Sequence, residues 1–320
     1  MTYMITGSTG LIGTALVKAI AANGDAVVAA ARNVEKARRL FGGLEGVEIV
    51  EWDVTKPFDK SHLSPSALGS LSSCRLIHAA AETASRGFVE KPVETICTIL
   101  DGTRNVLEFA REARVGKVVF LSTMEVYGAP TTDPVTEADF GVLDPAAVRS
   151  SYPEAKRLAE NLCAAYVKEY DLDVTIARLT QTFGPGVARG DTRVFAQFAE
   201  AVLDGRDIVL HTEGRTARCY CYIDDAVSAI LALAEKGAAG EAYNVANPAT
   251  YCTIREMAES LAAGHPPSRV VVDLSGASGK GYAPEFRMRL STAKLESLGW
   301  RPRVGLLEAY EQLISSWRDA

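Results

Sequence analysis

The chain has 320 residues, 48% of them hydrophobic and 23% charged, with a net charge of -6. That length holds a large core in one or two domains, and the charged fraction is that of an ordinary soluble globular protein. The acidic balance offers no basic footprint for nucleic acid. No charged-then-apolar leader precedes the first strand, and residues 226–234, the most apolar helical stretch, are too short to span a bilayer. The expectation is a cytoplasmic protein with no membrane partner. The six cysteines are scattered without a C-x-x-C and read as reduced thiols, and the four histidines lack zinc-ligand spacing, so no metal site is expected.

In chain order, Tyr3-Met4-Ile5-Thr6 reads as a short apolar strand. Leu11–Ala22 has helical spacing, with Ile12, Leu16, Ala19 and Ile20 on one face. Between them runs Gly7-Ser-Thr-Gly10-Leu-Ile-Gly13. Glycine is required where the backbone turns tightly and where a phosphate comes close, and a helix start offers free N–H groups to an anion. The segment therefore suits a dinucleotide pyrophosphate. Ala26–Ala31 reads as a second strand and Val34–Phe41 as a charged helix. Further strands are expected at 47–52, 76–80, 118–122 and 174–178, and long helices at 93–113 and 154–170. Apolar strands alternating with helices predict an α/β fold, a doubly wound parallel sheet of Rossmann type.

After Arg178 the Gly184-Pro185-Gly186 break makes the alternation irregular. The expected division is a dinucleotide-binding domain over 1–178 and a smaller, mainly substrate-binding C-terminal domain over 179–320. Part of about 220–248 is expected to return to the main sheet.

Tyr152 and Lys156 are one helical turn apart, so a phenol and an ammonium can share a face. The ammonium and a cationic nicotinamide favour the phenolate, which can accept a hydroxyl proton as hydride leaves the same carbon. Pro153 predicts that Tyr152 sits at the helix entry. Ser122-Thr123-Met124-Glu125 follows a strand, and the carboxyl ends of parallel strands are where open α/β sheets bind ligands. A hydroxyl there can bridge a substrate oxygen and the tyrosine; the plainer reading is a strand-end cap.

In order and spacing, these pieces resemble the extended short-chain dehydrogenase/reductases that act as nucleotide-sugar epimerases and dehydratases. The resemblance rests on Gly7 to Gly13, Asp53-Val54, His78-Ala-Ala-Ala81, Ser122-Thr-Met-Glu-Val-Tyr-Gly128, Tyr152 with Lys156, Phe183-Gly-Pro-Gly186, Arg218 with Tyr222-Ile-Asp224, Tyr243-Asn-Val245 and Leu298-Gly-Trp300. It implies that Gly7, Gly10 and Gly13, with Thr9, Leu11 and Ile12 of the same turn, hold the pyrophosphate. It implies that Asp53 and Val54 meet the adenine and that Ala79, Ala80 and Ala81 line the cofactor. Thr123, Tyr152 and Lys156 would form the catalytic set, joined by Glu125. The substrate, a nucleotide-diphosphate sugar, would meet Thr123, Met124, Glu125 and Gln181, with Arg218 holding its diphosphate. The simpler reading of Arg218 is a charge pairing with Asp224 or Asp225. The resemblance also implies a homodimer in which the two long helices form a four-helix bundle.

Several positions depart from the family pattern. The second strand ends Ala29-Ala30-Ala31-Arg32, without the acid that usually meets the ribose hydroxyls. NAD or NADP is expected as cofactor, and Arg32 tilts the balance toward NADP because a cation there suits a 2′-phosphate. Ile99 and Gln181 occupy positions where the family often has asparagine. Met124 replaces an aspartate that sugar dehydratases use as an acid, while the neighbouring Glu125 is kept. The reaction expected is 4-epimerisation through a 4-keto sugar. Dehydration or decarboxylation using Glu125, reduction of a keto sugar, and a noncatalytic dinucleotide sensor are the alternatives.

Overall fold

The structure, a computed structural model, describes residues 1–83, 85–276 and 285–319. In chain order the first part contains β1 (Thr2–Thr6), α1 (Leu11–Ala22), β2 (Ala26–Ala31), α2 (Val34–Phe41), β3 (Val47–Glu51), α3 (Pro65–Gly69), β4 (Arg75–His78), α4 (Ser85–Glu90), α5 (Pro92–Ala113), β5 (Lys117–Thr123), α6 (Ser151–Tyr170) and β6 (Val174–Leu179). Then follow β7 (Gln181–Phe183), α7 (Val194–Leu203), β8 (Ile208–Leu210), β9 (Ala217–Tyr222), α8 (Ile223–Lys236), β10 (Ala242–Val245), β11 (Asn247–Thr253), α9 (Ile254–Gly264), β12 (Val270–Val272), β13 (Arg287–Met288), α10 (Ala293–Glu296) and α11 (Leu306–Arg318).

Seven strands make one parallel sheet in the order β10-β6-β5-β4-β1-β2-β3. Side chains alternate faces along each strand, and both faces are covered. Met4, Leu76, Val118 and Phe120 enter the core under α5 and α6. Tyr3, Ile5, Ile77, Val119 and Leu121 enter the other core, with Leu16, Val17 and Ile20 of α1 and Ile230 and Leu233 of α8. This explains the near-continuous apolar runs in the sequence. Strand order reverses between β1 and β4, and that switch point opens the crevice in which such sheets bind dinucleotides.

Strand β10 returns to the sheet edge beside β6, with Tyr243 opposite Ala177. The remaining strands form a mixed sheet of β7, β9, β11 and β13, and a β8–β12 pair. Helices α7, α9 and α11 pack there around Phe183, Phe195, Tyr220 and Tyr310. This second layer thus lies against the carboxyl ends of β5 and β6, where β6 runs through Thr180 directly into β7.

Candidate active site

Two chambers meet at the glycine turn. Gly7 has φ +66, and a Cβ on it would lie 2.7 Å from the backbone of Ala80. A Cβ on Gly13 would lie 2.2 Å from Gly7 O. Gly7 therefore lets β1 turn against the loop after β4, and Gly13 lets α1 pack onto the turn. Gly10 is the N-cap of α1, and no acidic residue occupies the first helical turn. Free N–H groups and the positive dipole end face the crevice without a carboxylate to repel an anion. These features fit a dinucleotide pyrophosphate.

The outer chamber encloses about 600 Å³ between β1, β2 and the loop after β3. Its wall contains Thr9, Ala31, Arg32, Asn33, Lys36, Asp53, Val54 and Ala79 to Ala81. Asp53 Oδ1 accepts bonds from Thr55 N at 3.1 Å and Thr55 Oγ1 at 2.8 Å. Burial raises the Asp53 carboxyl, but the Thr55 bonds and the Arg32 and Lys56 charges outweigh it and hold the group below its ordinary value. Lys36 is a second cation beside Arg32, exposed on the first turn of α2. Sequence reading missed it.

The inner chamber is lined by Gly7, Gly10 to Gly13, Ala79, Thr123, Met124, Glu125, Tyr152, Lys156, Gln181 and Arg218. Tyr152 is the second residue of α6 and Pro153 the third, so the proline fits the first helical turn. Thr123, at the end of β5, shares a side-chain hydrogen bond with Tyr152 and caps the turn carrying Glu125, accepting from Glu125 N at 3.2 Å. The two sequence readings of Thr123, site hydroxyl and strand-end cap, are therefore compatible.

The protein's own groups raise the phenol rather than lower it. Burial raises the Tyr152 phenol well above its ordinary range, and the Glu125 charge adds to this; Thr123 and Arg149 oppose them. The ring is 7% exposed and stacked on Phe88 at 4.2 Å. Lys156 does not correct this, because its Nζ donates to Leu121 O at 2.7 Å and lies 4.6 Å over the Phe120 ring. Burial lowers the Lys156 ammonium to about 8, with Glu160 acting the other way. Desolvation and the Glu125 charge outweigh the opposing Thr123 bond and Arg149 charge on the phenol.

Behind Lys156 lies a buried polar network. Ser122 Oγ donates to Glu160 at 2.5 Å, and Arg178 NH2 donates to the same carboxylate at 2.7 Å. Arg178 also donates to Tyr127 Oη at 3.0 Å, and Tyr127 to Asn244 Oδ1 at 2.7 Å. The network ties β5, α6, β6 and β10 together.

Arg218 does not pair with Asp224 or Asp225. The Asp225 carboxylate accepts from Arg303 N and Val304 N at 3.0 and 2.9 Å, while the Arg218 guanidinium lies 4.8 Å over the Phe286 ring. Its buried Nε has no hydrogen-bond partner among the described residues. A second chamber arginine, Arg193, is anchored by Asp191 at 2.6 Å. Sequence reading missed Arg193, Phe88 and Arg149, whose proximity to the site depends on folding; Arg149 alone was signalled, three residues before Tyr152.

The sequence model of the NAD dependent epimerase/dehydratase family matches residues 3–246. The chain belongs to this family. Its relatives include UDP-glucuronic acid decarboxylase 3 of Arabidopsis thaliana, 30% identical over 99% of this chain and 89% of that protein. UDP-glucuronic acid decarboxylase 1 of Xenopus tropicalis is 28% identical over 98% of this chain and 72% of that one. Among solved structures, the UDP-glucose 4-epimerase of Thermus thermophilus in complex with NAD is similar over the full length of both chains, with a TM-score of 0.79 and 25% identity. The dTDP-glucose 4,6-dehydratase DesIV of Streptomyces venezuelae, with NAD bound, gives 0.78 and 25%, covering 100% of this chain and 97% of that one. As a member of the NAD dependent epimerase/dehydratase family the chain is an enzyme, and the sensor alternative falls away. Among the described residues no helix is long and apolar enough to cross a membrane.

Proposed function

We propose that this enzyme acts on a nucleotide-diphosphate uronic acid, oxidising C4 and releasing the C5 carboxylate as carbon dioxide. The observation that carries the reading is Glu125 in the chamber wall beside the Thr123–Tyr152 pair: a proton-handling group has work at C5 only if a bond there changes. The similarity to UDP-glucuronic acid decarboxylases over nearly the whole chain supports it.

Gly7, Gly10, Gly13, Asp53 and Val54 would hold a nicotinamide dinucleotide, which would supply the hydride acceptor at C4 and later the donor. Tyr152 takes the C4 hydroxyl proton, with Thr123 orienting the oxygen. The new ketone places the C5 carboxylate β to a carbonyl, so the bond from C5 to the carboxyl carbon breaks and its electron pair forms an enolate. Tyr152, now carrying the proton, and Thr123 hydrogen-bond O4 and stabilise the enolate charge, and Tyr152 gives that proton to O4 only when hydride would return to C4. Glu125 holds or relays the proton that C5 then receives. Arg218, whose Nε has no partner among the described residues, and the anchored Arg193 bind the diphosphate.

Mass spectrometry after incubation with UDP-, dTDP-, GDP- and CDP-sugars, UDP-glucuronate included, tests the reading. Loss of carbon dioxide from UDP-glucuronate is expected, with solvent deuterium retained at C5 and reduced incorporation in Glu125→Gln. An isomeric product without solvent deuterium at C5 would instead establish 4-epimerisation. That second reading draws on the likeness to the Thermus epimerase. Loss of water would establish a dehydratase, for which Met124 offers no acid.

We also infer a preference for NADP. Ala31 supplies no carboxylate, and Arg32 and Lys36 both face the outer chamber. Direct titration with NADP and NAD should show a ratio that falls in Arg32→Ala; an unchanged ratio would remove Arg32 as a phosphate reader. A homodimer through α5 and α6 completes the reading.

A further inference from the structure

A carboxylate beside a phenol that must ionise creates a conflict, and one side chain outside the chamber wall pairs with the carboxylate and lies over the ring stacked on the phenol. Arg149 lies on the short helical turn before α6. Its NH2 donates to Glu125 Oε2 at 2.9 Å. Its guanidinium carbon is 5.0 Å from the Phe88 ring centroid. That ring is the one stacked on Tyr152, at 4.2 Å and 6° between planes. Phe88 is itself fixed, because Ser151 Oγ donates to its carbonyl at 2.8 Å. Guanidinium, phenyl and phenol thus form one pile, whose cationic end is tied to Glu125.

We propose that Arg149 is a positioning residue, acting through Glu125 and Phe88 to hold the carboxylate at the chamber wall while offsetting its charge beside the Tyr152 phenol. The proposal rests on the proposed reaction for the work Glu125 does, but the geometry is independent of substrate. Glu125 opposes ionisation of the phenol and Arg149 favours it, so the ion pair cancels part of a repulsion that the site would otherwise carry. The guanidinium suits the position: its charge sits over the Phe88 ring while its NH2 donates to the carboxylate. A free Glu125 would turn toward solvent, since its side chain is 29% exposed.

The test uses the cofactor-loaded enzyme with Arg149→Met, Arg149→Lys, Glu125→Gln and the Arg149→Met/Glu125→Gln pair. With UDP-glucuronate, Arg149→Met should lower kcat about 10²-fold, the scale of a misplaced group, with KM and cofactor affinity near wild type. Arg149→Lys should recover part of the loss. Once Glu125 is glutamine, removing Arg149 should cost much less than it does in wild type, because the two act as a unit. An equal fold-loss in both backgrounds, or unchanged turnover, overturns the proposal. If wild type leaves UDP-glucuronate untouched, the substrate reading fails, while crystal structures of wild type and Arg149→Met still decide this one. A Glu125 carboxylate displaced from the chamber wall in the variant supports it; one in the same place overturns it.

Discussion

Tyr152 has two sets of contacts that separate catalysis from packing. Its ring stacks on Phe88, and its hydroxyl meets Thr123. Tyr152→Phe keeps the stack and removes the proton acceptor. Turnover should fall about 10²-fold or more, with an unchanged melting temperature and cofactor affinity; near-normal turnover on an identified substrate would dismiss Tyr152 as the acid–base group. His78 gives a pH prediction. It is buried, with Nδ1 2.7 Å from Thr6 Oγ1, and burial with help from Lys156 lowers its pKa from 6.5 to about 3. The unfolded chain binds this proton as pH falls through 6.5, while the folded chain does not until about 3. Its contribution is present above 6.5 and is lost progressively toward 3. Urea midpoints should decline over that range, and less steeply in His78→Gln; identical slopes would exclude His78 as a source of acid sensitivity.

At the scale of the element, the β1–α1 turn depends on glycine at two backbone contacts. The Gly13 approach to Gly7 O leaves no room for a methyl group, whereas a Cβ on Gly43 would meet nothing within 4 Å. Gly13→Ala must push α1 off the turn that bears the free N–H groups. Cofactor binding should be lost or strongly weakened with a lower melting temperature, while Gly43→Ala should match wild type in both. Full affinity in Gly13→Ala, measured by direct titration, would refute the close-packing role. Elements also account for what the periodicity missed. Strand β5 runs to Thr123 and helix α6 begins at Ser151, both beyond their expected limits, because the site residues themselves extend the regular structure. Short strands β7, β12 and β13 carried no usable alternation.

At the scale of the molecule, α5 and α6 bury one face on the sheet and leave another outward. Val93, Val148 and Leu158 are exposed there, beside a hollow lined by Ile96, Leu100 and Ala155. An apolar surface of this kind suits a second copy of the pair, giving the proposed four-helix dimer. Leu158→Glu should shift the enzyme from dimer to monomer in light scattering at micromolar concentration; a wild-type monomer would eliminate the dimer.

Local chemistry in the sequence determined the parallel sheet and the glycine turn, because hydrophobic period and glycine placement act over a few residues, whereas Thr123, Glu125, Tyr152 and Lys156 stood out as a set only through the resemblance to a family. Ala31 followed by Arg32 likewise exposed a departure from the usual ribose site. Tertiary structure alone decided the state of those groups. Lys156 is turned to Leu121 O and over the Phe120 ring, and the Tyr152 phenol is raised by its burial, with its ring stacked on Phe88, contacts drawn from separate elements. Arg149 meets Glu125 across 24 residues, and Arg178 joins Glu160 and Tyr127 from another strand. Such pairings are set by the sheet order, a property of the whole chain's packing that no local spacing encodes.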